Sequence, residues 1–90
     1  MTYFVYLLIT KSKNKFLSYV GYTNNVNNRL KLHNASKGAK FTRGRKWKLI
    51  YKKKYNTKSE ALIEEYRLKK NYKKRNQIKN NFLKEKISFI

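Results

Sequence analysis

The sequence predicts an α+β fold: a small three-stranded antiparallel sheet flanked by helices, in the order β-β-α-β-α-α. Three observations carry this. A continuous apolar run and a second β-rich run lie one short polar turn apart. A third strand-like stretch comes only after a helical one. An explicit helix start, Thr57-Lys58-Ser59-Glu60, then opens the remainder of the chain. A sheet with helices laid against it buries the apolar stripes that this order leaves.

The elements follow in turn. Tyr3-Phe4-Val5-Tyr6-Leu7-Leu8-Ile9 is uninterruptedly apolar, aromatic and β-branched, as a buried central strand is. A polar turn over 11–15 leads to Phe16-Leu17-Ser18-Tyr19-Val20-Gly21-Tyr22, an antiparallel partner. Thr23-Asn24-Asn25 offers N-caps for a helix over about 25–36 with the stripe Val26, Leu30 and His33. Lys37-Gly38-Ala39-Lys40 ends it with a glycine, and a basic loop runs on through Arg45. Residues 47–55 alternate, with Trp47, Leu49 and Tyr51 on one side and Lys48, Ile50 and Lys52 on the other, a strand with one wetter face. The capping box opens a helix to about residue 72. A last helix is expected over about 75–84, with Ile78 and Phe82 four apart.

Ninety residues make one domain (1–90), with a core over about 2–72 and a helical extension over about 75–90. A hydrophobic share of 40% excludes a disordered basic tail. The chain has no Cys, so no disulfide framework and no thiolate metal site. No apolar run approaches the length that crosses a bilayer, and the first one makes a poor signal peptide. A cytoplasmic location is expected, nucleoid-associated if the source is bacterial, with no membrane partner. The C-terminal Ile87-Ser88-Phe89-Ile90 is expected to dock on the domain or on a partner.

Charge dominates the composition: 24 Lys and Arg against 4 Asp and Glu, a formal +20. Such a field favours polyanions, nucleic acid first. Of the basic residues 19 are Lys, and Asn occurs 11 times. Both are cheap to encode in an A+T-rich genome, so charge alone says nothing about chemistry.

Chemistry is carried by residues that fit their positions badly. On the helix opened by the capping box, Ala61, Leu62, Glu65, Leu68 and Tyr72 form the core stripe, and Glu60, Glu64, Arg67 and Asn71 the polar face. A carboxylate on an apolar stripe must be paired, protonated or bound to a cation. Pairing with one of the many Lys is the purely structural solution. Arg29 and His33, four apart, aim two donors from the apolar side of the first helix at one spot, which suits a phosphate. Tyr6 and Tyr19 sit on neighbouring strands, an arrangement that packing alone also explains.

The ordered set is more specific than its members. Phe4-Val5-Tyr6, then Tyr19-Val20-Gly21-Tyr22-Thr23, Asn25, Arg29, His33-Asn34, the loop Lys37-Gly38-Ala39-Lys40 with Thr42-Arg43, and Glu65 together resemble the GIY-YIG nuclease family. The likeness is strongest to short stand-alone bacterial members and to structure-selective nucleases of the Slx type, over about residues 3–70. It implies the same three-stranded fold and a metal-dependent endonuclease acting on DNA, structure-selective for branched, flap or nicked forms. Tyr6 and Tyr19 would line the site, Arg29 would bind the scissile phosphate, and His33 would assist proton transfer or hold Tyr6. Glu65 would hold one Mg²⁺ or Mn²⁺. The loop residues Lys37, Lys40, Thr42, Arg43 and Arg45, interleaved with Phe41 and Trp47, would engage nucleic acid by backbone tracking and stacking, although Trp47 is expected simply to pack on the sheet.

The sequence departs from the family pattern in places. Phe4 stands where the first motif has Gly. Relatives carry an Asn about a dozen residues beyond the metal Glu, where Gln77 stands here, beside Asn76. RNA as substrate and a protein partner stay open. So do two rival readings: a catalytically silent nucleic-acid-binding module on this fold, and a small basic RNA-binding protein. The first leaves the intact Tyr6, Tyr19, Arg29, His33 and Glu65 set without a purpose, and the second gives no reason for Glu65.

Overall fold

The computed structural model describes residues 1–87. The docking expected of the apolar end 87–90 rests on side chains outside those described. Strands β1 (Tyr3–Ser12) and β2 (Lys15–Thr23) are followed by α1 (Val26–Asn34), β3 (Lys48–Tyr55), α2 (Lys58–Lys70) and α3 (Tyr72–Ile87), in the order the sequence predicts. The sheet runs β2-β1-β3, antiparallel throughout. The continuous apolar run therefore lies in the middle, where both of its faces are covered.

Strand alternation sorts β1 onto two faces. Val5 and Leu7, with Val20 of β2, pack against Ala61 and Leu68 of α2, and Ile78 of α3 joins them. Tyr6 and Leu8 face the other way, onto Trp47, with Tyr19, Leu30 and Leu49 around them. The β1–β2 hairpin closes through Lys13 and Asn14, with Lys13 at φ 58, so both strands are longer than expected and the turn shorter.

The expected alternation of β3 breaks at one place. Leu8 pairs with Leu49 but Leu7 pairs with Tyr51, leaving Ile50 as an extra residue. This bulge moves Tyr51 off the face of Trp47 and Leu49 onto the α2 face. Trp47 is buried as expected, at 3% exposure.

The helix ends also differ from expectation. Asn25 caps α1, accepting from the Asn28 N–H. The helix ends at Asn34, two residues short of the expected limit and ahead of Gly38, and Ser36 just beyond its cap takes the left-handed φ of 61. Ser36 N–H bonds to His33 O, and Lys37 N–H to Leu32 O, the paired bonds of a Schellman end. Half of the expected α2 capping box forms: Thr57 Oγ1 accepts from Glu60 N–H at 3.1 Å, while Glu60 Oε1 accepts from the Thr57 hydroxyl at 3.1 Å. Asn71 then closes α2 and caps α3 through the Lys74 N–H, while Arg75 donates to the Leu68 and Lys69 carbonyls left open at the end of α2. The last helix consequently begins at Tyr72, before the expected Arg75. Tyr72 and Leu62, expected in the core stripe, are instead 68% and 40% exposed, because α2 buries a narrower stripe of Ala61 and Leu68.

Candidate active site

Tyr6 and Tyr19 point to the α1 face of the sheet because their positions have the same parity in a paired register, Tyr6 opposite Gly21 and Leu8 opposite Tyr19. His33 comes down onto them from α1. Its ring centroid lies 5.9 Å from that of Tyr6 and 5.0 Å from that of Tyr19. The Tyr6 hydroxyl is 2.8 Å from His33 Nε2. On the far side of the ring, His33 Nδ1 is 2.9 Å from Thr42 Oγ1. His33 and Thr42 are fully buried, and Tyr6 is 2% exposed. A polar chain this deep must satisfy itself, and among the described residues no buried side-chain N or O lacks a hydrogen-bond partner.

Two glycines make the chain possible. A Cβ at Gly21 would strike the Tyr6 ring and hydroxyl, and one at Gly38 would strike the His33 ring, both closer than real Cβ atoms approach. The chain has three glycines, and two of them lie flat against site rings. That scarcity was the signal available in the sequence for both positions. Asn34 is a third residue with a role the sequence did not give. Its amide donates to Trp47 O at 3.2 Å and accepts from Trp47 N–H at 2.6 Å, pinning the start of β3 beneath α1.

Arg29, half-buried on α1, donates to Gly38 O at 3.4 Å and stands beside the Tyr6 phenol. Burial pushes the Tyr6 phenol up to about 12, and the nearby Arg29 guanidinium pulls the other way. The charge of Glu65 also reaches this phenol and adds to the rise. His33 is held below its ordinary value by burial and then by Arg29, so the imidazole is neutral at neutral pH.

Glu65 arrives from α2, on the opposite side of the sheet. It is half-buried and its carboxylate pairs with Lys69 at 3.3 Å. Lys69 in turn lines a groove of about 300 Å³ with Tyr19, Phe41 and Arg75, joining this corner to the aromatic side of the site. Among the described residues no cluster of three or more His, Cys, Asp or Glu could hold a metal ion. What is present fits one weakly held hard cation: a single carboxylate that must exchange Lys69 for it, with water and substrate oxygens completing the shell.

The expected nucleic-acid contacts separate into two groups. Lys37, Lys40 and Arg43 are exposed on the loop between α1 and β3. Arg45 lies over the Phe41 ring at 5.4 Å and donates to Phe41 O at 2.8 Å. Phe41 is 48% exposed and stacks on Tyr19, with ring centroids 6.4 Å apart and planes at 18°. Thr42 is not on this surface. Its side chain turns inward to His33, and its carbonyl accepts from Trp47 Nε1 at 3.0 Å. Asn76 and Gln77 do not join the cluster; Asn76 lines a separate groove with Phe16, Ser18 and Tyr72. No described helix is long and apolar enough to cross a membrane.

Comparison with known proteins identifies the family. A family model described as the GIY-YIG catalytic domain matches residues 2–80, reaching past the expected limit at Lys70 into α3. A UPF0213 protein of Oceanobacillus iheyensis is 49% identical over 65 residues, covering 71% of this chain and 74% of the relative. One from Bacillus velezensis is 38% identical over 86 residues, covering 94% and 81%. The solution NMR structure of a UPF0213 protein from Bacillus halodurans is 34% identical and covers 89% of this chain and 84% of that one, with a TM-score of 0.48.

Proposed function

Because the chain belongs to the GIY-YIG catalytic-domain family, a family of nucleases, we propose that it is a divalent-metal-dependent endonuclease that hydrolyses phosphodiester bonds in DNA, selecting its substrate by structure. One observation carries the reading: a buried phenol, Tyr6, stands between a neutral imidazole at 2.8 Å and a guanidinium. The phenol and the imidazole satisfy each other by their hydrogen bond, and titratable groups shifted from their ordinary values and gathered with a guanidinium at one spot mark a functional site.

In this reading the attacking water gives a proton to the Tyr6 oxygen, and His33 backs the phenol as the partner for its own proton. Arg29 grips phosphate oxygens with its planar fork and offsets the charge that builds on them. In a chain with 5 Arg and 19 Lys, an Arg at this half-buried position answers a geometric demand. Glu65 would hold the divalent cation, which when bound supplies charge neutralisation at the phosphate. Lys37, Lys40 and Arg43 track the backbone, and the exposed face of Phe41 offers a stacking surface for an unpaired base. Among the described residues no element is shaped to read base edges in a groove, so selectivity comes from the shape of the nucleic acid.

The test is cleavage of labelled duplex, flap and branched DNA with Mg²⁺ or Mn²⁺, comparing wild type with Glu65→Ala. Metal-dependent cuts that vanish in the variant are expected. Binding without cuts by the wild type, on every substrate and with either metal, would overturn the reading in favour of a binding module.

A further inference from the structure

Tyr6, His33 and Thr42 form a buried chain whose hydrogens can be counted. Each hydroxyl carries one, and neutral imidazole carries one, on one nitrogen or the other. Thr42 Oγ1 accepts from Ala39 N–H at 3.2 Å, lies 2.9 Å from Ala39 O and lies 2.9 Å from His33 Nδ1. A carbonyl oxygen only accepts, so the bond to Ala39 O uses the single Thr42 hydrogen. His33 must then donate from Nδ1, which leaves Nε2 as a bare lone pair facing Tyr6.

The opposite tautomer fails at the other end of the chain. Nε2–H would donate to the Tyr6 oxygen, and the phenolic hydrogen would need a different acceptor. Among the described residues His33 Nε2 is the one acceptor hydrogen-bonded to the hydroxyl; the Arg29 guanidinium beside it only donates, and Tyr19 and Glu65, though their charges reach the phenol, make no hydrogen bond to it. An unpaired hydroxyl hydrogen on a residue 2% exposed disfavours that arrangement by roughly tenfold or more.

We infer that Thr42 is a positioning residue: it fixes His33 as the Nδ1–H tautomer, which commits the Tyr6 proton inward and presents the phenolic oxygen to the substrate as an acceptor. Thr42 is itself held, through its carbonyl by Trp47 Nε1 and through its N–H by Ala39 O. Gly38 closes against the same edge of the imidazole, where any side chain would strike Nδ1. Resting on the nuclease reading, the proton traffic balances. Water yields a proton to Tyr6 as its oxygen bonds to phosphorus, Tyr6 yields its own to Nε2, the leaving oxygen takes a proton from solvent as its bond to phosphorus breaks on the far side, and His33 afterwards releases its proton through Tyr6 to solvent. Thr42 stays an acceptor throughout and never carries the proton.

His33 is the only histidine, so uniformly ¹⁵N-labelled protein gives one pair of imidazole nitrogens. At neutral pH the wild type should show a pyrrole-like Nδ1 and a pyridine-like Nε2. Thr42→Ser should keep that pattern. Thr42→Val should move the population toward Nε2–H and lower kcat about 10- to 100-fold with KM little changed. A pyrrole-like Nε2 in the wild type, or an unchanged imidazole spectrum in a folded Thr42→Val protein, would overturn the inference. The spectrum needs no substrate. A protein with the assigned tautomer that cuts no DNA supports the role of Thr42 at His33 and counts against the nuclease reading alone.

Discussion

Tyr6 and Leu7 are neighbours in the chain, both essentially inaccessible, yet they belong to opposite faces of the sheet and do different work. The face of Leu7 is closed by aliphatic groups of α2 and by parts of tyrosines, and its contacts are non-directional. The face of Tyr6 holds a phenol, an imidazole and a hydroxyl in a row, each with a specified partner. The first face stabilises the fold through area removed from water. The second holds geometry, since each polar group there costs free energy unless it sits where its partner is. A 90-residue chain with one layer of sheet has no other way to separate the two tasks than to assign them to alternate residues.

The sharpest way to break this comparison is to substitute the two neighbours. Tyr6→Phe should keep the fold, at a cost of about 1–3 kcal/mol for the stranded His33 nitrogen, and lower cleavage about 10²- to 10⁴-fold. Cleavage at the wild-type rate would remove Tyr6 from the mechanism. Leu7→Ala should do the reverse. It should cost about 2–5 kcal/mol in urea unfolding, while cleavage per folded molecule stays near wild type. A specific loss of turnover in still-folded Leu7→Ala would show that the two faces are coupled.

The smallest effect concerns pH. His33 is held below its ordinary value in the native state, so between that lowered value and about 6.5 the unfolded chain binds the extra proton and the native chain does not. Stability should therefore be full above about pH 7 and decline as pH falls through the ordinary histidine range. The decline should be absent in His33→Gln. A wild-type profile as flat as that of the variant would mean that the polar face does not hold its imidazole neutral.

Much of this was legible in the sequence. The element order, the central place of β1, the hairpin and the α2 N-cap follow from local rules: period-two alternation, apolar continuity and side chains that bond their own backbone. Such rules act within a few residues, so the sequence states them directly. The spacing of Tyr6, Tyr19, Arg29 and His33 was likewise readable, because same-face positions on paired strands and one helix bring three elements to one point. Other features depended on contacts between distant segments. The bulge at Ile50 moves Tyr51 to the other face, since β3 takes its register from β1 and from the Asn34 clamp on Trp47 rather than from its own pattern. Thr42 reads as a polar loop residue beside Arg43 and becomes buried only when the loop folds back to satisfy His33 Nδ1. Glu65 stands on an apolar stripe in sequence; its pairing with Lys69 is an i,i+4 contact within α2, but its influence on Tyr6 exists only once α2 is laid across the sheet. By itself the sequence determined which groups need partners, because desolvation is a property of each group. Tertiary structure decided who the partners are, because hydrogen bonds and charges act through space.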